Sequence, residues 1–168
     1  MFKAHASWLV LGVLLLGAGA SKAEDDRPDS PEDYVQVYKK LLAEFKAPKV
    51  TAHRIDGSWM TENKNPKERF HNYPLLERKD ADAKLYPRVA ELLLEAKTYN
   101  TISARCFQPG LAFRLEENGK TLDLIFCLHC QHVEYHLGDE RHMYPLSDAG
   151  NEAFKKIYFE LFPEQAKK

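Results

Sequence analysis

A helical pattern of apolar residues follows the polar N-terminal part of the chain. Over residues 31–46 the apolar side chains recur every three or four positions, so they share one face of a helix. Ser30 can cap this helix, Pro31 suits its first turn, and Pro48 ends it. The pattern therefore predicts a helix over 31–46, whose buried stripe is formed by Tyr34, Tyr38, Leu41, Leu42 and Phe45.

Two later stretches repeat the same period. Residues 84–98 predict a middle helix, in which Pro87 is tolerated because it falls in the first turn. A last helix is predicted from Ser147 or Asp148 to Pro163, which cannot continue it. Its buried stripe is predicted to comprise Phe154, Ile157, Tyr158 and Leu161.

Other stretches have the alternation of β-strands or the composition of loops. Residues 50–55 and 73–76 predict short strands, and the polar residues 61–68 predict a loop. Apolar residues also alternate with polar ones over 102–106, which predicts a strand before the turn at Gln108-Pro109-Gly110.

A hairpin around Asn118-Gly119 is the clearest strand signal. A type I′ turn needs positive φ at both central residues, and this dipeptide adopts it readily. A two-residue loop then pairs 111–117 with 120–128 and fixes the register. Arg114 would face Asp123 on one side of the sheet. The other side would be apolar, with Leu115 opposite Leu122, Phe113 opposite Leu124 and Leu111 opposite Phe126.

The apolar side of the pattern changes after this hairpin. Even-numbered positions are apolar up to Leu128, whereas Val133, Tyr135 and Leu137 are odd-numbered. We expect a bulge or bend near 129–132, because it would move the side chains to the other face. A further short strand is expected after Gly138-Asp139.

These elements predict a single α+β domain over 31–168. Its expected architecture is an antiparallel meander of about four strands packed with an N-terminal, a middle and a C-terminal helix.

The charge composition argues against one class of partner. The net charge of -1 gives no strongly basic surface, so nucleic acid is not expected as a partner.

The N-terminus has the features of an export signal. Lys3 precedes an apolar run from Trp8 to Leu16, and Ser21-Lys22-Ala23 matches a cleavage site. We expect a signal peptide over 1–23, then an acidic lead-in over 24–30, and a periplasmic or extracellular product. The apolar run is shorter than the roughly 20 residues of a membrane span, so no stable membrane anchor is expected.

Three cysteines follow in the exported part of the sequence. Export favours a disulfide, because thiols pair in an oxidising compartment. The hairpin register brings Cys106, Cys127 and Cys130 to one end of the sheet. We expect a bridge from Cys106 to either Cys127 or Cys130, and the sequence does not choose between them.

A metal site is the alternative for the same region. Cys127, His129, Cys130 and His132, followed by Glu134 and His136, are ligands that zinc or copper accepts. A solvated strand face explains His132, Glu134 and His136 without a metal, so our main expectation includes no cofactor. Thiol redox chemistry at Cys127 and Cys130 is a further alternative.

His71 is the other candidate site residue. It lies between Phe70 and Tyr73, and it either lines a site or anchors a loop. No nucleophile motif or singled-out pair of carboxylates is visible in the sequence, so an enzyme is unsupported.

Four segments resemble a family of uncharacterised exported bacterial proteins of unknown function. They are Phe70-His71-Asn72-Tyr73, Cys106-Phe107-Gln108-Pro109, the hairpin from Gly119 to Leu124, and Cys127-Leu128-His129-Cys130. The resemblance covers roughly the second half of the mature chain and implies a common exported domain with three matched cysteines. The chain differs from the family at Gly110-Leu111, where Arg-His is frequent, and at His129, where an acid is common.

The sequence thus favours a disulfide-stapled binding or structural module that acts outside the cytoplasm on an unknown protein or small molecule. The alternative is a metal-binding or thiol-redox protein that uses the cysteine and histidine cluster.

Overall fold

A computed structural model describes residues 28–58, 68–102 and 106–167 of the protein. The expected signal peptide over 1–23, most of the lead-in over 24–30 and most of the 61–68 loop lie outside the described residues. Within the described ranges, no helix combines the length and the apolar character that a membrane crossing requires.

The described residues form three α-helices, and all three lie where the sequence predicts a helix. They are α1 (Pro31–Leu42), α2 (Leu85–Leu93) and α3 (Asp148–Leu161). Ser30 caps α1 by accepting a hydrogen bond from the Asp33 backbone N–H, and Ser147 caps α3 in the same way.

Two helices end earlier than their apolar stripes predict. After α1 the chain tightens, because the Phe45 N–H bonds to the carbonyl of Leu42, three residues back. Phe45 is nevertheless buried with the stripe. The chain leaves α2 at Leu94, and the Tyr99 hydroxyl donates to the freed Leu93 carbonyl at 2.8 Å. A short 3₁₀ turn, Ala96–Thr98, follows α2.

The described strands form one curled antiparallel sheet, so the fold is α+β as predicted. The strands are β1 (Lys49–Ile55), β2 (Arg69–Phe70), β3 (Tyr73–Asp80), β4 (Leu111–Glu117), β5 (Lys120–Cys127), β6 (His132–Leu137) and β7 (Glu140–Pro145). Their order is β2-β3-β1-β4-β5-β6-β7. The described part of the sheet thus has seven strands, not about four. No strand forms at Ile102 or at Cys106, and residues 103–105 between them lie outside the described ranges.

The Asn118-Gly119 hairpin has the predicted register. Leu115 pairs with Leu122, and Arg114 pairs with Asp123. Asn118 and Gly119 have φ values of 50° and 76°, as a type I′ turn requires.

The prediction of a bulge or bend near 129–132 is wrong. The chain reverses there through a turn at 128–131, with Phe126 paired to Val133 and Cys127 to His132. Gln131 has a φ of 58°, which helps the turn to close. The change from even to odd apolar positions therefore marks a new hairpin between β5 and β6, and not a bend within one strand.

The two faces of the sheet differ in their packing. The three helices cover one face, where side chains such as Phe113, Phe126 and Phe154 form the main core. The opposite face, which we call the polar face, carries alternate residues of β1, β4, β5 and β6, including His53, Arg114, Asp123 and Glu134.

Candidate functional site

The polar face is largely buried, although the sequence predicted a solvated surface for His132, Glu134 and His136. His132 and Glu134 are only 1% and 2% exposed. The reason is a second, smaller apolar cluster in which Phe70 packs with residues of the central strands and next to Phe107. The β2–β3 hairpin and the segment after Cys106 thus shelter this face, and neither contact is evident from strand alternation.

Asp123 lies at the centre of the polar face. Its side chain is 5% exposed, and it accepts two hydrogen bonds from the Arg114 guanidinium, at 2.8 and 2.7 Å. His71 Nε2 lies 2.7 Å from the same carboxylate. A carboxylate held by a guanidinium acts as an acceptor, so His71 donates through Nε2. His71, which is itself partly exposed, therefore contacts a buried carboxylate in addition to lying in its loop.

Glu134 repeats this arrangement on the neighbouring strand. It accepts two hydrogen bonds from Arg141, at 2.7 and 3.0 Å, and a third bond from His136 Nε2. Each carboxylate thus binds one arginine and one histidine. We call the six side chains the charged network; they are His71, Arg114, Asp123, Glu134, His136 and Arg141.

The two histidines of the charged network touch each other. Their ring centroids lie 4.2 Å apart with an angle of 37° between the ring planes. When either ring is neutral and its Nε2 donates to a carboxylate, its Nδ1 is left as a hydrogen-bond acceptor. The pair can accept hydrogen bonds from ligand hydroxyl or amino groups, and a ring that takes up a proton can donate one.

The backbone at His71 is left-handed, as it is in the turns at Asn118 and Gln131. His71 occupies the first loop position between β2 and β3 with a φ of 50°, a conformation unfavourable for most residues other than glycine. Left-handed conformations of this kind cluster at binding and catalytic sites, where they aim a side chain.

His53 lies beside the network on β1 and was not singled out by the sequence analysis. It is 4% exposed, and neither ring nitrogen has a hydrogen-bond partner among the described residues. Burial, together with the nearby Arg114 and Arg78 and against the opposing effect of Asp123, lowers the pKa of His53 to about 4. The imidazole is therefore neutral at pH 7.

This lowered pKa predicts a loss of stability in mild acid. The unfolded chain takes up a proton at His53 below pH 6.5, whereas the folded chain does so only near pH 4. Stability is therefore lost as the pH falls from 6.5 towards 4. We expect the free energy of unfolding to drop by about 1 kcal/mol between pH 7 and pH 5.5 because of His53.

Urea unfolding at the two pH values, in buffers free of phosphate and carboxylate, measures this drop. His132 adds a loss in the same direction, because burial also lowers its pKa. A His53→Phe variant should keep only that remainder, and an undiminished drop in this variant would contradict the assignment to His53.

The cysteines resolve the pairing that the sequence left open. Cys106 is bonded to Cys130, with Cα atoms 6.0 Å apart. Cys127 is a buried free thiol whose sulfur accepts hydrogen bonds from the backbone N–H of Gln108 and Cys130, at 3.3 and 3.0 Å. The expected bridge from Cys106 is confirmed, with Cys130 as the partner.

The four proposed metal ligands differ in exposure and in bonding. Cys130 is consumed by the disulfide, His129 is exposed in the turn after β5, and Cys127 and His132 are buried. Across 28–58, 68–102 and 106–167, no three His, Cys, Asp or Glu side chains are placed to hold a metal ion.

The sequence offered partial signals for the residues that it missed. The predicted pairing of Arg114 with Asp123 already placed a charged pair on the polar side of the hairpin. Thr51, His53 and Ile55 alternate with the residues of β1 that face the helices, but nothing in the sequence indicates that His53 is buried. Comparison with family models, with curated proteins and with solved structures found no match for this chain.

Proposed function

We propose that the protein is an exported, disulfide-stapled binding module that takes a small polar ligand on the polar face of its sheet. The observation that carries this proposal is the charged network. Two carboxylates that are almost wholly buried, Asp123 and Glu134, are each held by an arginine and a histidine on the face opposite the helices.

The network is hard to explain as a device for stability. Removing paired charges from water costs free energy, and apolar residues of similar size often stabilise a fold at least as well. The apolar cluster around Phe70 occupies the same face, so an apolar filling is compatible with the fold. A ligand site accounts for the fixed donors and acceptors, and for the left-handed backbone at His71.

The location proposed for this module has separate support. A disulfide persists in oxidising compartments, which agrees with the export signal in the sequence. The cysteine that pairs with Cys106 belongs to the C-x-x-C segment of the resemblance described above. We propose that the chain shares its exported domain with that family.

Backbone NMR of the full chain tests the binding site with named compounds. We expect at least one of glucose, glycine, acetate and inorganic phosphate to perturb amides of β5 and β6 together with His71 in a saturable way. Shifts confined to the three helices, or no saturable shift with any of the four compounds, would refute the proposal.

Two histidine variants make this test specific. His136→Gln removes an imidazole of the charged network. We therefore expect it to weaken the binding of whichever compound binds the wild type at least tenfold. His129→Gln changes an exposed histidine in a turn and should leave the affinity unchanged. Equal affinities in the two variants would place the ligand elsewhere, provided that both have the circular dichroism spectrum of the wild type.

A further inference from the structure

A cleft on the polar face adjoins the charged network and is centred on β1. Its volume is about 340 Å³, and His53 lines it together with basic and acidic side chains. The basic residues are Lys49, Arg78 and Arg114, and the acidic residues are Asp80 and Glu116. A volume of this size accommodates one small molecule.

His53 is the residue of the cleft that the fold does not explain. It is almost fully buried, yet no described residue provides a partner for either ring nitrogen. A neutral imidazole carries one N–H donor, and a buried donor without an acceptor is unfavourable. The Phe70 ring packs against the His53 ring, with centroids 4.4 Å apart and an angle of 41° between the ring planes.

The charges around His53 indicate what kind of hydrogen-bond acceptor its ring N–H would favour. Arg78 lies directly opposite His53 across the β1–β3 pair, and Arg114 opposes Thr51 on the other side of β1. Both guanidinium groups are near enough to disfavour a positive charge on the ring. Arg114 is bonded to Asp123, whereas Arg78 is exposed and forms no ion pair with another described residue. An acceptor between a neutral imidazole and two guanidinium groups is favoured if it is negatively charged.

We propose that this cleft binds the oxyanion group of a small polar molecule, a carboxylate or a phosphate, through the His53 ring, Arg78 and Arg114. The inference rests on the proposed function, because the cleft is part of the same polar face. The oxyanion accepts the His53 N–H and balances the charge of Arg78, while Arg114, already bonded to Asp123, offers its remaining N–H groups. Lys49 and Glu116, at the other end of the cleft, lie where they can contact the rest of the ligand.

Histidine side-chain NMR of the full chain tests this site. Sodium phosphate and sodium acetate are titrated separately, with sodium chloride at matched ionic strength as the control. We expect one of the two oxyanions to shift the His53 ring signals in a saturable way and to move their titration midpoint to higher pH, because a nearby anion favours the protonated ring. The salt that acts decides whether the site prefers a phosphate or a carboxylate.

Charge variants establish that the cleft is responsible. Arg78→Gln should weaken oxyanion binding at least tenfold, and Lys40→Gln, on the exposed surface of α1, should leave it unchanged. Equal weakening in both variants would mean that net charge attracts the anion, and this would overturn the proposal. A response to chloride equal to that of both oxyanions would do the same.

A second pair of variants uses buried polar groups that lack partners. His53→Phe should abolish the saturable shift that the oxyanion causes in the backbone amides of β1, and it should raise the melting temperature without the oxyanion, because it removes two unpartnered nitrogens. Tyr38→Phe removes an unpartnered hydroxyl on the helix side of the sheet, so it should leave oxyanion binding intact.

The possible failures of the inference and of the proposed function are distinguishable. If glucose or glycine perturbs the charged network while neither oxyanion affects His53, the binding module stands and the oxyanion site does not. If no compound perturbs either region, both fail.

Discussion

Replacing Arg114 with methionine is expected to lower the free energy of unfolding by about 3 kcal/mol. The change leaves the carboxylate of Asp123 buried without the guanidinium that binds both of its oxygens. Buried pairs broken in this way lose roughly 3–5 kcal/mol. We expect the lower end because the Arg114 side chain is 36% exposed, so water partly replaces it. Methionine retains an unbranched apolar chain beside Phe70.

Urea unfolding of three further variants isolates this effect. Arg54→Met breaks the more exposed pair with Glu77 and should cost no more than about 1 kcal/mol. Asp123→Leu alone and the double variant Arg114→Met/Asp123→Leu complete a cycle. The double variant should recover much of the loss, because no buried charge is left without a partner. A loss in the double variant equal to the sum of the two single losses would show that the two residues act independently.

A Cys106→Ser variant is expected to lose about 3 kcal/mol of stability under oxidising conditions. The bridge joins residues that are 24 apart in sequence, and opening it restores freedom to the unfolded chain. It also releases the segment that leads to Phe107, which packs beside the apolar cluster of the polar face.

Thermal unfolding with and without a reducing agent measures this contribution. The wild type should lose stability on reduction, whereas Cys106→Ser should not respond. Cys127→Ala is the matched control, because it removes a cysteine but keeps the bridge, so its response to reduction should equal that of the wild type. A melting temperature of Cys106→Ser equal to that of the oxidised wild type would refute a stabilising role for the bridge.

The elements that the sequence predicts best are those governed by local chemistry. The Asn118-Gly119 turn fixes its own backbone angles, so the pairing from Leu111 with Phe126 to Glu117 with Lys120 could be derived from the turn alone. The starts of α1 and α3 follow from Ser30 and Ser147 for the same reason. Their caps involve residues only three positions away.

The errors arise where distant contacts decide the structure. At the end of α2 the Tyr99 hydroxyl bonds to the Leu93 carbonyl, and the strand pairing of 49–55 with 73–80 joins segments whose linker has no signal for a tight hairpin turn. The turn at 128–131 was mistaken for a bulge because both move apolar residues from even to odd positions. Alternation alone does not distinguish a strand that bends from one that reverses.

The candidate site was anticipated only in part. Asp123 and Arg114 were paired by the register, and His71 was noted for its aromatic neighbours. That His71 reaches Asp123 depends on how the β2–β3 hairpin folds over β5, a contact across 52 positions of the chain. The burial of His53 and Glu134 has the same origin, since it depends on what covers the face and not on the strands that carry them.

The position of Cys127 has a consequence for how the chain acquires its bridge. If the chain is oxidised before its sheet forms, all three thiols are accessible and each can pair with either of the others. Once the reversal after β5 has closed, two backbone amides hold Cys127 inside, and only the other two sulfurs are left to react. Correct oxidation therefore depends on the order of events, and folding that precedes oxidation selects the native pair.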